Sequence, residues 1–177
     1  MLIAAALILT AVACLADSRF VSVDRTPYDL QMARIEQTLV SQPAHARPVS
    51  LAIVARWMQD LRGIPYAYSM EWKTPDEVTR NTVADCKAKA VVLYQRLHCN
   101  GAQGLRLVIG KRAPRSELTH TWVEWTTNSI TYVLDPTFDS KPSERSTIPA
   151  NSYVPYYAFS GMRKYRATGA MALCAAL

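Results

Sequence analysis

No apolar run in this sequence of 177 residues reaches the ~20 residues that a membrane-spanning helix needs. The longest run covers residues 2–16, which are uncharged, and the first charges follow at Asp17 and Arg19. This length and these flanks predict an export signal peptide, although no lysine or arginine precedes the run. An uncleaved N-terminal anchor and lipidation of Cys14 remain alternatives. We therefore expect an exported protein, periplasmic or secreted, that meets a membrane only through this segment or its lipid.

Closely spaced cysteines are also missing. The four cysteines, at positions 14, 86, 99 and 174, lie at least 13 residues apart. This spacing is wrong for a zinc knuckle or a CxxC redox pair, so we expect neither a metal nor another cofactor. In an oxidising compartment Cys99 and Cys174 are the candidate disulfide pair, and the alternative is that both are small buried hydrophobic residues.

Basic clusters interleaved with aromatic residues are absent as well. The chain has 20 Lys and Arg against 14 Asp and Glu, a net charge of +6, and most basic residues are dispersed. This pattern argues against nucleic acid as a partner. Half of the residues are hydrophobic, which excludes a disordered chain. We expect a segment at 1–16 and a single domain at 17–177, with its core at 50–138 and a wrapping tail at 139–177; the oligomeric state stays open.

Helical signals come first along the chain, and strand signals follow. Apolar residues recur at helical spacing over 28–40 and 51–61, and a third, largely buried helix is predicted at 85–98. A Thr-Pro-Asp-Glu sequence at 74–77 predicts a short capped helix, and three strands are predicted at 105–109, 119–125 and 130–134. This order predicts an α+β fold in which N-terminal helices pack on an antiparallel sheet.

The last two predicted strands form a hairpin whose register decides which side chains meet. If residues 127 and 128 form the centre of the turn, His120 faces Asp135 directly. If residues 128 and 129 form the centre, the two are diagonal neighbours on one face of the sheet. Both registers let the Asp135 carboxylate reach the imidazole and hold one tautomer.

Cys86 has the sequence environment of a nucleophile. It opens the third predicted helix, where unpaired N–H groups and the helix dipole favour a thiolate, and a neighbouring imidazolium favours it further. We predict that Cys86 attacks, that His120 acts first as base and then as acid, and that Asp135 orients His120. The Cys86 backbone N–H and the Trp72 side chain are the candidate donors to an oxyanion.

Three motifs follow one another at intervals of 34 and 15 residues: Asp-Cys at 85–86, His-Thr-Trp-Val-Glu at 120–124 and Asp-Pro-Thr at 135–137. This order resembles the transglutaminase-like superfamily. A Trp-x-x-Pro-x-Glu element at 72–77 is similar to that of the bacterial transglutaminase-like cysteine peptidases. The resemblance covers residues 56–138 and implies a papain-like core, a Cys-His-Asp triad and a protein or peptide amide as substrate, with hydrolysis or cross-linking as the outcome.

The sequence departs from the calcium-binding members of this family. Such members carry acidic residues just after the cysteine, whereas Lys87 and Lys89 occur here, so calcium is not expected. One interpretation is that both lysines favour the Cys86 thiolate or an acidic substrate; the other, which we prefer, is that they are exposed helix residues.

Two other functions remain open. One is a papain-like peptidoglycan endopeptidase. The other is a non-catalytic binding module that uses the basic surface and the tyrosine-rich tail, with Tyr153, Tyr156, Tyr157 and Tyr165 at the interface. A tail that covers the cleft as a self-inhibiting flap from residue 140 onward is a further hypothesis.

Overall fold

An antiparallel sheet organises the chain. The computed structural model describes residues 19–41, 48–79 and 82–169. Its strands are β1 (Phe20–Val23), β2 (Leu105–Lys111), β3 (His120–Thr127), β4 (Ile130–Leu134), β5 (Ser143–Glu144), β6 (Val154–Ser160) and β7 (Arg163–Ala167). Across the sheet they run in the order β1-β7-β6-β2-β3-β4-β5, which makes β2 the central strand, and neighbouring strands are antiparallel.

Three α-helices accompany the sheet: α1 (Asp29–Val40), α2 (Leu51–Arg62) and α3 (Cys86–Cys99). Helix α3 packs on β2 and β3, and α1 and α2 pack on α3. The predicted α+β class is therefore confirmed. The capped segment is a single 3-10 turn, Pro75–Glu77, and a second 3-10 turn covers Arg145–Thr147.

Side-chain caps fix where two of these helices begin. The Ser50 hydroxyl accepts the Ile53 N–H at 3.3 Å at the start of α2. The Asp85 Oδ1 atom accepts the Ala88 N–H at 3.0 Å, so α3 begins at Cys86. Such caps satisfy N–H groups that have no carbonyl partner within the helix.

The β3–β4 hairpin adopts the second of the two predicted registers. Val123 pairs with Leu134, and Asn128 and Ser129 form the turn with φ angles of 48° and 65°. Positive φ at both central residues is the geometry of a two-residue hairpin turn. Trp122 lies in a core cluster separate from the one that holds Val123, so successive residues of β3 face opposite sides of the sheet.

The C-terminal residues form strands of the sheet, which corrects the expectation of a wrapping tail. Strand β6 pairs with the central strand β2, from Leu107 with Phe159 to Lys111 with Val154, and β7 pairs with β6. Local sequence did not predict this pairing because it joins residues about 50 positions apart. The described tail is therefore part of the sheet.

Gly110 permits a close approach of β6 behind the strand that carries His120. It pairs with His120 across β2 and β3, at a point where the β2–β6 register shifts. A Cβ atom at this position would lie 2.1 Å from the Val154 carbonyl oxygen. Only glycine fits here without a shift of the backbone.

Several predictions concern residues outside the described ranges. These are the signal segment at 1–16, the lipidation site Cys14, and Cys174 of the predicted disulfide. Within the described ranges Cys86 and Cys99 are free thiols. No helix there combines the length and the apolar character that crossing a membrane requires.

Candidate active site

Cys86 is the first residue of α3, at the end of a tightly bonded loop. The Asp85 side chain is 2% exposed, caps the helix through Oδ1 and accepts the Ser69 N–H at 3.3 Å through Oδ2. Because Cys86 opens the helix, its own N–H lacks a carbonyl one turn earlier. Asp85 thus fixes the position of the Cys86 backbone relative to residues 66–72.

The two lysines after Cys86 are not exposed, which corrects their interpretation from sequence. The Lys87 Nζ atom contacts the Asp85 carboxylate, donates to the Ser69 carbonyl at 2.8 Å and lies over the Tyr68 ring. Lys89 is 2% exposed and donates to the Ile64 carbonyl at 2.7 Å. Burial lowers the pKa of Lys89, and the negative charge of Asp135 opposes that effect. Both lysines tie the loop before Cys86 to α3.

His120 and Asp135 form a buried pair, as predicted. The His120 Nε2 atom lies 2.8 Å from Asp135 Oδ2, and the Thr137 N–H donates to Oδ1 at 3.0 Å. Burial disfavours the charged imidazole, but hydrogen bonds to Asp135 and Cys86 outweigh it and raise the pKa of His120 to about 9. Burial alone would raise the pKa of Asp135, yet the hydrogen bonds from His120, Tyr153 and Thr137 hold it below its usual range. A charged imidazole therefore faces an ionised carboxylate.

One cavity of about 560 Å³ brings the predicted residues together, and we call it the Cys86 cavity. Cys86, His120 and Trp72 line it, and Asp135 is fully buried behind His120. The indole of Trp72 is 4% exposed and also belongs to the core, so its role toward an oxyanion stays a prediction.

Tyr66 is a cavity residue that the sequence did not single out. It lines the Cys86 cavity, and burial and then the negative charges of Cys86 and Asp85 raise its pKa. A protonated hydroxyl beside Cys86 is a potential hydrogen-bond donor. No local motif marks this tyrosine.

Tyr153 and Asp139 complete the buried network and were not predicted. The Tyr153 hydroxyl lies 2.8 Å from Asp135 Oδ2 and 2.9 Å from Asp139 Oδ2. Its ring packs edge-on against Trp122, its N–H donates to the Arg112 carbonyl, and its φ is 51°. Asp139 lies four residues after Asp135, and a turn joins the two through a hydrogen bond from the Asp139 N–H to the Asp135 carbonyl. This short separation along the chain could have marked Asp139 as a neighbour of the site. Tyr153 had no such signal, because it reaches the site from the β6 side.

Replacing Tyr153 by phenylalanine is expected to lower the free energy of unfolding by about 1–3 kcal/mol, because a buried charged acceptor loses a donor. Denaturant unfolding measures this loss. Tyr157→Phe is the matched control, since the Tyr157 hydroxyl has no hydrogen bond within the described part of the chain. Equal stability of the two variants would contradict the assigned bond between Tyr153 and Asp135.

Nowhere in residues 19–41, 48–79 and 82–169 do three His, Cys, Asp or Glu side chains come together as metal ligands. Next to Cys86, the Asp85 carboxylate and the Ser69 carbonyl are engaged by the Lys87 ammonium.

Comparison with known proteins identifies the fold through solved structures. No family model and no curated protein matches the sequence. EGTA-treated LapG of Legionella pneumophila is 20% identical with a TM-score of 0.57, over 77% of this chain and 74% of that chain. Calcium-bound LapG is 19% identical with a TM-score of 0.56, over 81% of this chain and 85% of that chain.

The chain has the LapG fold. A further LapG structure gives the same result, with 19% identity and a TM-score of 0.55. At this identity LapG establishes the architecture, and the chemistry must be argued from the residues of this chain.

Proposed function

We propose that this protein is an exported cysteine peptidase or amidase that cleaves a protein or peptide amide through a thioester on Cys86. The observation that carries the proposal is the 2.8 Å contact between His120 and Asp135 beside the cavity that Cys86 lines. The LapG fold supports it, and residues 2–16 supply the export signal. Each of the three residues fits one role of a thiol acyl-transfer triad.

Acylation starts from an ion pair between the Cys86 thiolate and the His120 imidazolium. With the pKa of His120 near 9, the proton resides on the imidazole at neutral pH, and Nε2 donates to Asp135. The Cys86 sulfur attacks the amide carbonyl carbon, and the carbonyl electron pair moves to oxygen. The Cys86 N–H and a cavity donor such as Trp72 or Tyr66 stabilise that oxyanion.

The intermediate collapses as His120 gives its proton to the leaving nitrogen and the C–N bond breaks. A thioester on Cys86 and a free amine result. Water then attacks the thioester carbon, His120 accepts a water proton, and the sulfur leaves with the bonding electrons. The products are a carboxylic acid and the restored ion pair, whereas attack by an amine instead of water yields a cross-link.

The rate of hydrolysis is expected to fall as the pH rises through about 9, because His120 then loses the proton that the leaving amine needs. The free energy of unfolding is also expected to fall as the pH rises. The pKa of His120 is raised above its unfolded value of 6.5, so its stabilisation is complete below pH 6.5 and is lost through pH 9.

Kinetics between pH 6 and 10.5, with circular dichroism at each pH, separate the chemical effect from unfolding. A kcat that stays constant up to pH 10.5 in folded protein would contradict the assigned role of His120. His120→Gln is the comparison for stability. The free energy of unfolding of this variant should not decline between pH 6.5 and 9.

The function itself is tested by digestion of a denatured protein mixture in ¹⁸O water with a primary amine present. Mass spectrometry identifies new C-termini that carry ¹⁸O, which report hydrolysis, and amine adducts, which report transfer. Cys86→Ala is expected to abolish both, and Cys99→Ala is the matched control that keeps them. Products formed equally by the Cys86→Ala variant would refute the proposal.

A further inference from the structure

Large apolar side chains from separate segments of the chain stand exposed around the Cys86 cavity. Tyr66, Tyr68 and Met70 come from the loop before α3, and Met70 is 82% exposed. Leu118 and Phe138 flank the β3–β4 hairpin, and Leu118 is 66% exposed. Exposed apolar groups gathered around a cavity typically mark a ligand-binding groove. We call these five residues the apolar rim.

Specific contacts hold three residues of the apolar rim in place: Tyr68, Met70 and Phe138. The Lys87 ammonium lies 4.9 Å from the Tyr68 ring centroid and donates to the Ser69 carbonyl, and the Tyr68 hydroxyl contacts the Met70 sulfur at 3.2 Å. Beside the hairpin, the Arg112 guanidinium stacks 4.2 Å from the Phe138 ring centroid. Preorganised walls of this kind lower the entropy cost of binding.

Two cationic side chains, Lys87 and Arg112, line the cavity, and each lies beside a protein carboxylate. Lys87 is engaged by Asp85, and Arg112 lies 4.0 Å from the Asp135 carboxylate and over Phe138. A substrate therefore gains more from apolar contact with the rim than from ion pairing with these cations. Glu117 adds one further charge to the lining.

The depth of Cys86 constrains the shape of the substrate. Cys86 is 6% exposed at the floor of the cavity, so a bond on a rigid protein surface does not reach it. The volume of about 560 Å³ lies in the range of about 300–1,000 Å³ that holds drug-sized ligands, and a short extended peptide has that size.

We propose that the apolar rim makes this enzyme selective for an extended peptide segment with large apolar side chains next to the amide that Cys86 attacks. Leu, Met or Phe within two residues of that amide would contact Met70 from the loop before α3 and Leu118 from the loop before β3. This inference rests on the proposed function and names the substrate class of the same site.

The test measures how two blocked hexapeptides protect Cys86 from limiting iodoacetamide, followed by mass spectrometry of the full chain. The peptides have equal length and charge; one carries Leu and Phe at its central positions, and the other carries Ser and Asn. Half-maximal protection is expected at a concentration at least about tenfold lower for the apolar peptide, the scale of burying one or two such side chains.

Single substitutions in the apolar rim test whether the rim causes the preference for the apolar peptide. Met70→Ser and Leu118→Ser are expected to reduce the ratio between the two peptides severalfold. Met162→Ser is the matched control, because Met162 is an exposed methionine between β6 and β7, outside the Cys86 cavity, and this variant keeps the ratio.

The outcomes separate the two proposals. Equal protection by both peptides, with Cys86 reactive, overturns the substrate class and leaves the proposed function intact. A preference that survives in both rim variants also overturns the assignment to the rim. A Cys86 that iodoacetamide does not modify in the folded protein refutes the proposed function, and the substrate class falls with it.

Discussion

Replacing Asp135 by asparagine is expected to lower kcat by about 10³- to 10⁴-fold without unfolding the protein. The oxygen of the new side chain keeps the Thr137 N–H that Oδ1 accepts at 3.0 Å, so its NH2 group faces His120 Nε2, where the structure has a carboxylate oxygen at 2.8 Å. A donor there forces Nε2 to accept, which moves the ring proton to the nitrogen that Cys86 needs as its proton acceptor. Steady-state kinetics on a cleaved peptide measures the loss.

Asp139→Asn is the matched control for that substitution. Asp139 contacts the same Tyr153 hydroxyl as Asp135, whereas His120 Nε2 donates to Asp135, so the kcat of this variant should stay far closer to that of the unaltered chain. Thermal unfolding of both variants checks that they fold. An Asp135→Asn variant whose kcat lies within tenfold of the control would contradict the orienting role of Asp135.

Ending the chain at Ser140 is expected to abolish cooperative unfolding. The truncation removes β6 and β7, which exposes an edge of the central strand β2 and leaves β1 without a partner. It also removes Phe159 and Tyr153 from the two core clusters. Circular dichroism and a thermal melt measure the result.

The same truncation decides the hypothesis of a self-inhibiting flap. Among the described residues, those that line the Cys86 cavity end at Phe138, so no described residue after 140 covers it. A truncated chain that melts cooperatively, and whose Cys86 reacts with iodoacetamide faster than in the full chain, would support a flap. The same result would contradict the role of β6 in the sheet. The contribution of β6 to stability is tested separately with Phe159→Ala, which should fold with a lower free energy of unfolding than the unaltered chain.

Local signals predicted the elements that carry the site. The apolar pattern over residues 85–98 predicted α3, and two β-rich runs divided by the polar residues 126–129 predicted the β3–β4 hairpin. The hairpin register stayed open because Thr127-Asn128 and Asn128-Ser129 are both plausible turns. The structure has the latter, and His120 still reaches Asp135 because side chains on one face of a twisted sheet span diagonal positions.

The contacts that sequence reasoning missed are long-range. Tyr153 bonds Asp135 across 18 residues, and Lys89 bonds the Ile64 carbonyl across 25 residues. Lysine favours exposed helix faces in general, and its burial here depends on one carbonyl from another segment. No periodicity within a helix or a strand reports such a partner.

Alkylation of the full chain with limiting iodoacetamide at about pH 6, where an ordinary thiol with a pKa near 8.5 is mostly protonated, tests most directly whether Cys86 is an activated nucleophile. In protein reduced beforehand, Cys99 is an internal reference, because it is more exposed than Cys86. We expect Cys86 to be modified faster than Cys99 despite its burial, and His120→Ala to remove this advantage. Faster modification of Cys99, or a Cys86 rate unchanged by His120→Ala, would contradict the role of Cys86 as an activated nucleophile.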